Sequence, residues 1–177
     1  MVSTDAAERF LRAPFLTDLD ADSRQALLGV LKEQRNGAGE VLLVQDQPND
    51  RLFFLIEGKV VIERTYPDGH VEALLDLAAP TAFGETSYFQ RKPQIVSVRT
   101  ASDVWLLTLD RQDHERLRQQ DPRASEQLAT AAIRVLAEHF DLIDQRVSEF
   151  LNQQPDEQPK ANEWARFRAR LFGESKL

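Results

Sequence analysis

Residues 83–98 read FGETSYFQRKPQIVSV. A glycine at 84 stands directly before Glu85, Thr86 and Ser87, and the run begins like a loop built to hold a phosphate. Glycine lets the backbone approach an anion closely, and a helix start offers it free amides and the positive end of the dipole. The same residue types suit an ordinary helix start, with hydroxyls as caps and an acid in the first turn. Both readings of Glu85, Thr86 and Ser87 stand at this point. Arg91 and Lys92 follow, either as solvated loop charges or as cations able to bend back to an anion. Pro93 then interrupts the chain, and Gln94-Ile95-Val96-Ser97-Val98 turns β-branched.

Outward from that stretch, residues 34–109 carry short β-branched or aromatic runs: EVLLVQ, RLFFLIEG, KVVIERTY, HVEALLDL, QIVSVRTA and VWLLTLD. They are separated by DQPND, EGK, YPDGH and ASD, which are turn signals. Many short strands at such spacing predict a sandwich or barrel. Upstream, roughly 1–33 is expected to be helical, with a cap at Ser3 or Thr4, a stop at Pro14, and a second helix capped by Asp20 or Asp22. Its Leu27, Leu28 and Leu31 are expected to share one face. Downstream, DRQDHERLRQQ predicts a helix with Asp110 at its cap position. A long helix is expected from Pro122 to about Leu151. Helices before and after a β-roll give an α+β domain.

In that order and spacing the chain resembles the cyclic-nucleotide-binding domain family over about residues 10–150. The resemblance rests on Gly39-Glu40 opening a strand, Asp46 and Asp50 around a turn, Glu57-Gly58 in a tight hairpin, and Phe83-Gly84-Glu85. It implies an antiparallel β-roll, jelly-roll-like, flanked by N-terminal helices and a long C-terminal helix. It also implies a ligand seated against a short helix after Phe83-Gly84-Glu85. The amides of Thr86 and Ser87 would face the phosphate, and Glu85 would accept from the ribose 2′-hydroxyl.

The family carries an arginine in the place of Gln94, in a motif similar to Pro-Arg-Ala-Ala-Thr-Val. Pro93, the hydroxyl of Ser97 and Val98 match; Gln94 does not. A charged bidentate hydrogen bond contributes about 1.5–3 kcal/mol, and a partly buried phosphate without its countercharge costs about 3–5 kcal/mol. Gln94 recovers part of this with neutral hydrogen bonds, whereas Ile95 adds bulk and no donor. Binding of cAMP or cGMP is therefore expected to be weak or lost, and no other cofactor is expected.

Along the long helix, Ile133, Leu136, Phe140, Ile143, Val147 and Phe150 alternate by three and four, a heptad stripe. Such a stripe packs on its own domain or on a second copy. In the transcription-factor branch of the family the corresponding helix pairs with its copy, and a parallel homodimer is expected here. The 26 residues from Asn152 to Leu177 are too few for the helix-turn-helix of that branch. Residues 152–162, NQQPDEQPKAN, read as a polar linker. Residues 163–177 read as an amphipathic tail, with Trp164, Phe167 and Leu171 at i, i+3 and i+7 between arginines. That tail would dock on its own domain, on a protein partner or on an anionic membrane.

The composition sets bounds on function. The 177 residues are 42% hydrophobic, enough for one domain with a core. No apolar run is long enough for a membrane span, and the N-terminus lacks the pattern of a secretory signal. There are no cysteines, so disulfides, thiolate metal sites and cysteine nucleophiles are excluded, and a cytoplasmic protein is expected. The net charge of −7 argues against DNA as a partner. His70, His114 and His139 show no metal-ligand spacing, and no nucleophile motif appears, so no enzyme is expected. His114 is expected on a surface helix and His139 on the surface of the long helix.

Three functional expectations follow. One is a stand-alone regulatory or adaptor module with a degenerate cassette. Another is a working nucleotide sensor with an atypical phosphate site. The third is a dimeric scaffold presenting its tail to a partner or membrane.

Overall fold

The computed structural model describes the backbone of residues 2–152 and the side chains of residues 2–149. The side chain of Phe150, the linker beyond Asn152 and the tail with Trp164, Phe167 and Leu171 lie outside the described residues.

Eight antiparallel strands form two four-stranded sheets. The chain begins with α1 (Thr4–Leu11), a 3-10 turn (Pro14–Leu16) and α2 (Ala21–Leu28). Ser3 caps α1 through its hydroxyl, and Asp20 caps α2 by accepting from the Ser23 amide at 2.8 Å. The strands are β1 (Lys32–Asn36), β2 (Val41–Leu43), β3 (Arg51–Glu57), β4 (Lys59–Thr65), β5 (Val71–Ala78), β6 (Thr81–Phe83), β7 (Ser97–Thr100) and β8 (Val104–Asp110), with α3 (Glu85–Gln90) between β6 and β7. The chain continues as α4 (Arg111–Gln120) and α5 (Pro122–Asn152). The first sheet runs β1-β8-β3-β6 and the second β2-β7-β4-β5. This is the expected α+β roll.

β3 and β8 explain why the apolar runs are continuous. Each is buried on both faces, so a period of two is hidden under unbroken hydrophobicity. Leu52, Phe54, Trp105, Leu107 and Leu109 face the helices, joining Phe10, Phe15, Leu16, Leu27, Leu117, Leu128 and Val135. Phe53, Leu55, Val104 and Leu106 face the roll interior with Leu43, Val60, Leu77, Phe83 and Val98. Phe54 takes Phe10 edge-on at 5.3 Å and stacks on Phe15 at 5.8 Å, which seats the N-terminal helices on the first sheet.

Two compact units divide the chain, Met1–Glu138 and His139–Leu177. Within the first, Ala124, Leu128, Ala131 and Val135 of α5 belong to the helix-side core. Within the second, Phe140 and Ile143 are exposed and Val147 is half-buried.

Several expectations are corrected. Residues 32–36, KEQRN, form β1 rather than the end of a helix, and Leu31 lies beyond α2 rather than on its face with Leu27. The strand forms because β8 offers a free edge, pairing Lys32 with Thr108 through Asn36 with Val104. Asp110 sits at the N-cap of α4 without capping by its side chain; it pairs with Lys32 and, at 3.2 Å, with Arg51. His139 is buried, not a helix-surface residue. His114 is held inside a contact between helices, described below, and is not a free surface side chain.

Candidate functional site

β6 delivers the chain to the start of α3. Phe83 points into the roll and stacks on Phe53 with centroids 5.0 Å apart. Gly84 follows with φ of +85°, the left-handed conformation that glycine adopts without a Cβ penalty. A Cβ there would stand 3.2 Å from Asn49 Nδ2, 3.3 Å from the Arg51 carbonyl and 3.3 Å from Leu43 Cδ1. Gly84 therefore serves both the turn and the close approach of the 49–51 backbone. Its carbonyl accepts from the Tyr88 amide at 3.1 Å, and the amides of Thr86 and Ser87 open the helix without an acceptor inside it.

The first turn of α3 is largely buried. Glu85 is 7% exposed and Ser87 3%, while Thr86 is half-buried. Asn49 holds this turn in place. Its Nδ2 donates to the Gly84 carbonyl at 3.2 Å, to Ser87 Oγ at 3.2 Å and to the Arg51 carbonyl at 2.8 Å. The apolar atoms of Glu85 help line a cavity of about 10 Å³ beside Phe15, Phe54 and Leu128, barely the space of one water.

The returning strand is fixed by the same turn that carries Asn49. The Gln94 amide donates to the Gln47 carbonyl at 2.9 Å, and its carbonyl accepts from the Asp46 amide at 2.7 Å. Ser97 Oγ accepts from the Gln45 amide at 3.0 Å. Asp46 adopts φ of +64°, which lets residues 45–47 present their amides and a carbonyl to this strand. Residues 45–49 thus clamp both ends of the cassette. Asn49 and Gln47 were not singled out from sequence: Gln47 acts through its backbone carbonyl on Gln94, and Asn49 through a side-chain amide that reaches Gly84 and Ser87, and no local pattern reveals pairings across such separations.

Gln94 is 5% exposed, and its Nε2 finds no hydrogen-bond acceptor among the described residues. A buried donor left unpaired costs about 1–3 kcal/mol. Ile95 beside it is 64% exposed. Arg91, at φ of +56°, caps the carbonyl end of α3 and is exposed, as is Lys92. These two cations therefore stand at the end of α3 opposite Gly84.

α3 is tied to α4 and α5 by side chains. Tyr88 Oη lies 2.9 Å from His114 Nδ1, and His114 Nε2 lies 3.0 Å from Ser125 Oγ. Arg111 covers the Tyr88 ring at 4.4 Å and donates to the Tyr88 carbonyl at 2.7 Å. Burial pushes the Tyr88 phenol up to about 12. Burial also holds the His114 imidazole below its usual range, with Arg111 and Arg118 adding to the fall and Glu115 opposing it. At neutral pH the phenol therefore keeps its proton and the imidazole is uncharged, so one of its two nitrogens donates and the other accepts.

Of the residues singled out from sequence, Phe83, Gly84, Glu85, Thr86 and Ser87 lie on one β6–α3 junction, and Gln94, Ile95 and Ser97 on the strand returning from it. Of the stripe on α5, Ile133 is 68% exposed, Leu136 44%, Phe140 49% and Ile143 46%. Among the described residues no group of histidines and carboxylates could hold a metal, and no helix is long and apolar enough to cross a membrane.

Residues 33–121 match the cyclic nucleotide-binding domain family. A "CRP-like cAMP-activated global transcriptional regulator" of Mycobacterium tuberculosis is 32% identical over 130 residues, which cover 73% of this chain and 56% of that protein. A cAMP-dependent protein kinase regulatory subunit of Dictyostelium discoideum is 31% identical over 114 residues, 35% of its length. The chain thus spans about half or less of these curated relatives. Among solved structures, the N-terminal domain of a transcriptional regulator from Streptomyces coelicolor is 28% identical with a TM-score of 0.63, covering 75% of this chain and 95% of that one. A cyclic nucleotide-binding domain from Methylobacillus flagellatus shares the fold at 16% identity with a TM-score of 0.74, covering 81% of this chain and 83% of that one. The roll, the glycine-started α3 and the strand returning from it are where that family model lies, and this chain belongs to the cyclic nucleotide-binding domain family.

Proposed function

We propose that this chain is a regulatory module that senses a ligand in the cassette 83–98 and acts through protein contacts, with cAMP and cGMP binding weakened or lost. The observation that supports this is the pairing of an intact cassette frame with a neutral residue at its anion position. Gly84 takes the left-handed turn, Glu85 and Ser87 are buried, and residues 45–49 hold both ends. In the place of the arginine stands Gln94, a carboxamide with no charge to offer a phosphate.

The response would travel from α3 through Tyr88, His114 and Ser125 to α5. The exposed Ile133, Leu136, Phe140 and Ile143, with the half-buried Val147, would meet a second copy. No chemical step is assigned to the module, and a cytoplasmic setting fits the absence of cysteine.

Titration calorimetry with cAMP and cGMP tests the weakened cassette. No saturation below millimolar ligand is expected, and micromolar binding would overturn it. One observation favours a second reading, that of a working cyclic-nucleotide sensor: the unpaired Nε2 of Gln94 is a donor that a phosphate oxygen could satisfy, together with the amides of Thr86 and Ser87. Micromolar binding in that titration would establish it.

A further inference from the structure

We infer that the tail around Trp164, Phe167 and Leu171 folds back as a helix on the last turns of its own α5, against Leu142 and Ile143. The inference is independent of what the cassette binds and concerns the second unit alone, His139–Leu177.

The width of the apolar arc on α5 carries it. Leu142 is 42% exposed and Ile143 46%. As consecutive residues they point about 100° apart around the helix, so Leu142 lies off the heptad stripe to which Ile143 belongs. With the half-buried Val147 and with Phe140, the arc that starts at Leu142 spans about 160°. The seam of a two-stranded coiled coil is a narrower stripe. One partner helix on the side of Phe140 and Val147 therefore leaves the Leu142 side in water. An arc this wide calls for a second helix.

Residues 163–172, EWARFRARLF, have the matching form. At the helical period Trp164, Phe167 and Leu171 share a face about 60° wide, with Arg168 and Arg170 on its two borders. A helix of about ten residues is marginal in water and needs an apolar surface to form on. Between His139 and Glu149, α5 holds Asp141, Asp144 and Glu149 against Arg146, while the tail holds Arg166, Arg168 and Arg170 against Glu163. Opposite charge thus favours this pairing. The linker also reaches. Residues 152–162 span up to about 36 Å when extended, and Leu142 lies about 15 Å back from Asn152 along the helix. Tethering presents the tail to this face at an effective concentration in the millimolar range, ahead of a tail from another molecule.

The test is acrylamide quenching of Trp164 fluorescence in the whole chain, read as the difference between the natural chain and Trp164→Phe, which removes the emission of Trp105. A synthetic peptide of residues 163–177 gives the quenching of the free tail. A tail docked about ten times more often than free should be quenched far less than the peptide, at every chain concentration. Quenching equal to the peptide's would overturn the inference. Protection that appears only as the chain is concentrated would assign the face to a second copy's tail and overturn it too. Protection that appears only on adding phosphatidylglycerol vesicles would assign the tail to a lipid surface, with the same result. Leu142→Gln combined with Ile143→Gln should weaken docking at least about tenfold and expose Trp164. Protection surviving in that variant would put the tail elsewhere and overturn the inference. Should circular dichroism show that α5 unravels there, Arg168→Glu with Arg170→Glu changes the tail alone and should likewise expose Trp164. Unchanged protection would overturn the pairing.

Discussion

Tyr88 Oη lies 2.9 Å from His114 Nδ1, and the two rings stack with their centroids 5.9 Å apart. The pair joins the cassette helix to α4, and through Ser125 it reaches the start of α5. Burial keeps the phenol protonated and the imidazole uncharged, so one ring nitrogen donates and the other accepts.

Acid should loosen it. The folded imidazole titrates below its ordinary value of 6.5, so between the two values the unfolded chain binds more protons than the folded one. Stability from this source is complete above about 6.5 and is lost as pH falls through the folded value. A protonated His114 would also donate from both ring nitrogens and leave neither to accept, with Arg111 and Arg118 nearby and Glu115 in opposition. Urea midpoints at pH 5.5 and pH 7.5 should therefore differ more in the natural chain than in His114→Gln. Equal differences in the two proteins would show that His114 does not govern the acid limb.

Removing the phenolic hydroxyl should cost stability without changing the packing. Tyr88 is 1% exposed, so Tyr88→Phe leaves Nδ1 without its partner and loses about 1–2 kcal/mol. Ser125→Ala should lose a similar amount, and the double variant less than the sum, because both hydroxyls hold one imidazole. A double-mutant cycle from denaturant unfolding measures this coupling. Strict additivity would mean that the two bonds act independently.

The β3–β4 hairpin depends on the absence of a side chain at Gly58. Its φ is +92°, and a Cβ would collide with the Asp103 carbonyl and approach Ser102 Oγ to 3.0 Å. Gly69 has a similar φ of +85° with nothing within 4 Å of a Cβ. Gly69→Ala should therefore cost only the conformational strain, about 1 kcal/mol, and Gly58→Ala at least about 2 kcal/mol. Thermal melts of the two variants separate strain from collision, and equal losses would rule the collision out.

The roll could be read from sequence because its strands carry their own signal. RLFFLIE and VWLLTLD are apolar on both faces, and glycines or aspartates mark the turns between strands. β1 carried none: KEQRN becomes a strand through the edge of β8, where Trp105 bonds Glu33 at 2.9 Å and Arg35 lies 3.9 Å over the indole. β6 is three residues long, too short for any period to show. In the cassette, the order of Gly84, Glu85, Pro93 and Gln94 was legible, whereas the clamp by residues 45–49 was not. Backbone pairing is blind to side-chain identity, so Gln94 and Gln47 leave no mark of their bond. His114 looked like a surface residue because five of its nine neighbours from 111 to 120 are charged. Its partners come from two other helices.

α5 leaves Ile133 68% and Leu136 44% exposed, although Ala131 and Val135 on the same helix are buried in the core of their own unit. Water contact at two large aliphatic side chains on a long helix is a standing cost, and a second copy of the same stripe would remove it. Each side chain buried at such a contact contributes about 1.5–3 kcal/mol. Ile133→Glu or Leu136→Glu would place like charges across a two-fold contact and should weaken association at least about tenfold. Neither change touches the buried face of α5, so the unfolding midpoint extrapolated to dilute chain should stay close to that of the natural protein. Sedimentation equilibrium over a concentration series reads the association, and urea unfolding of the dilute chain reads the midpoint. A natural chain that stays monomeric throughout the series would sink the homodimer and move the search to a different protein partner for this stripe.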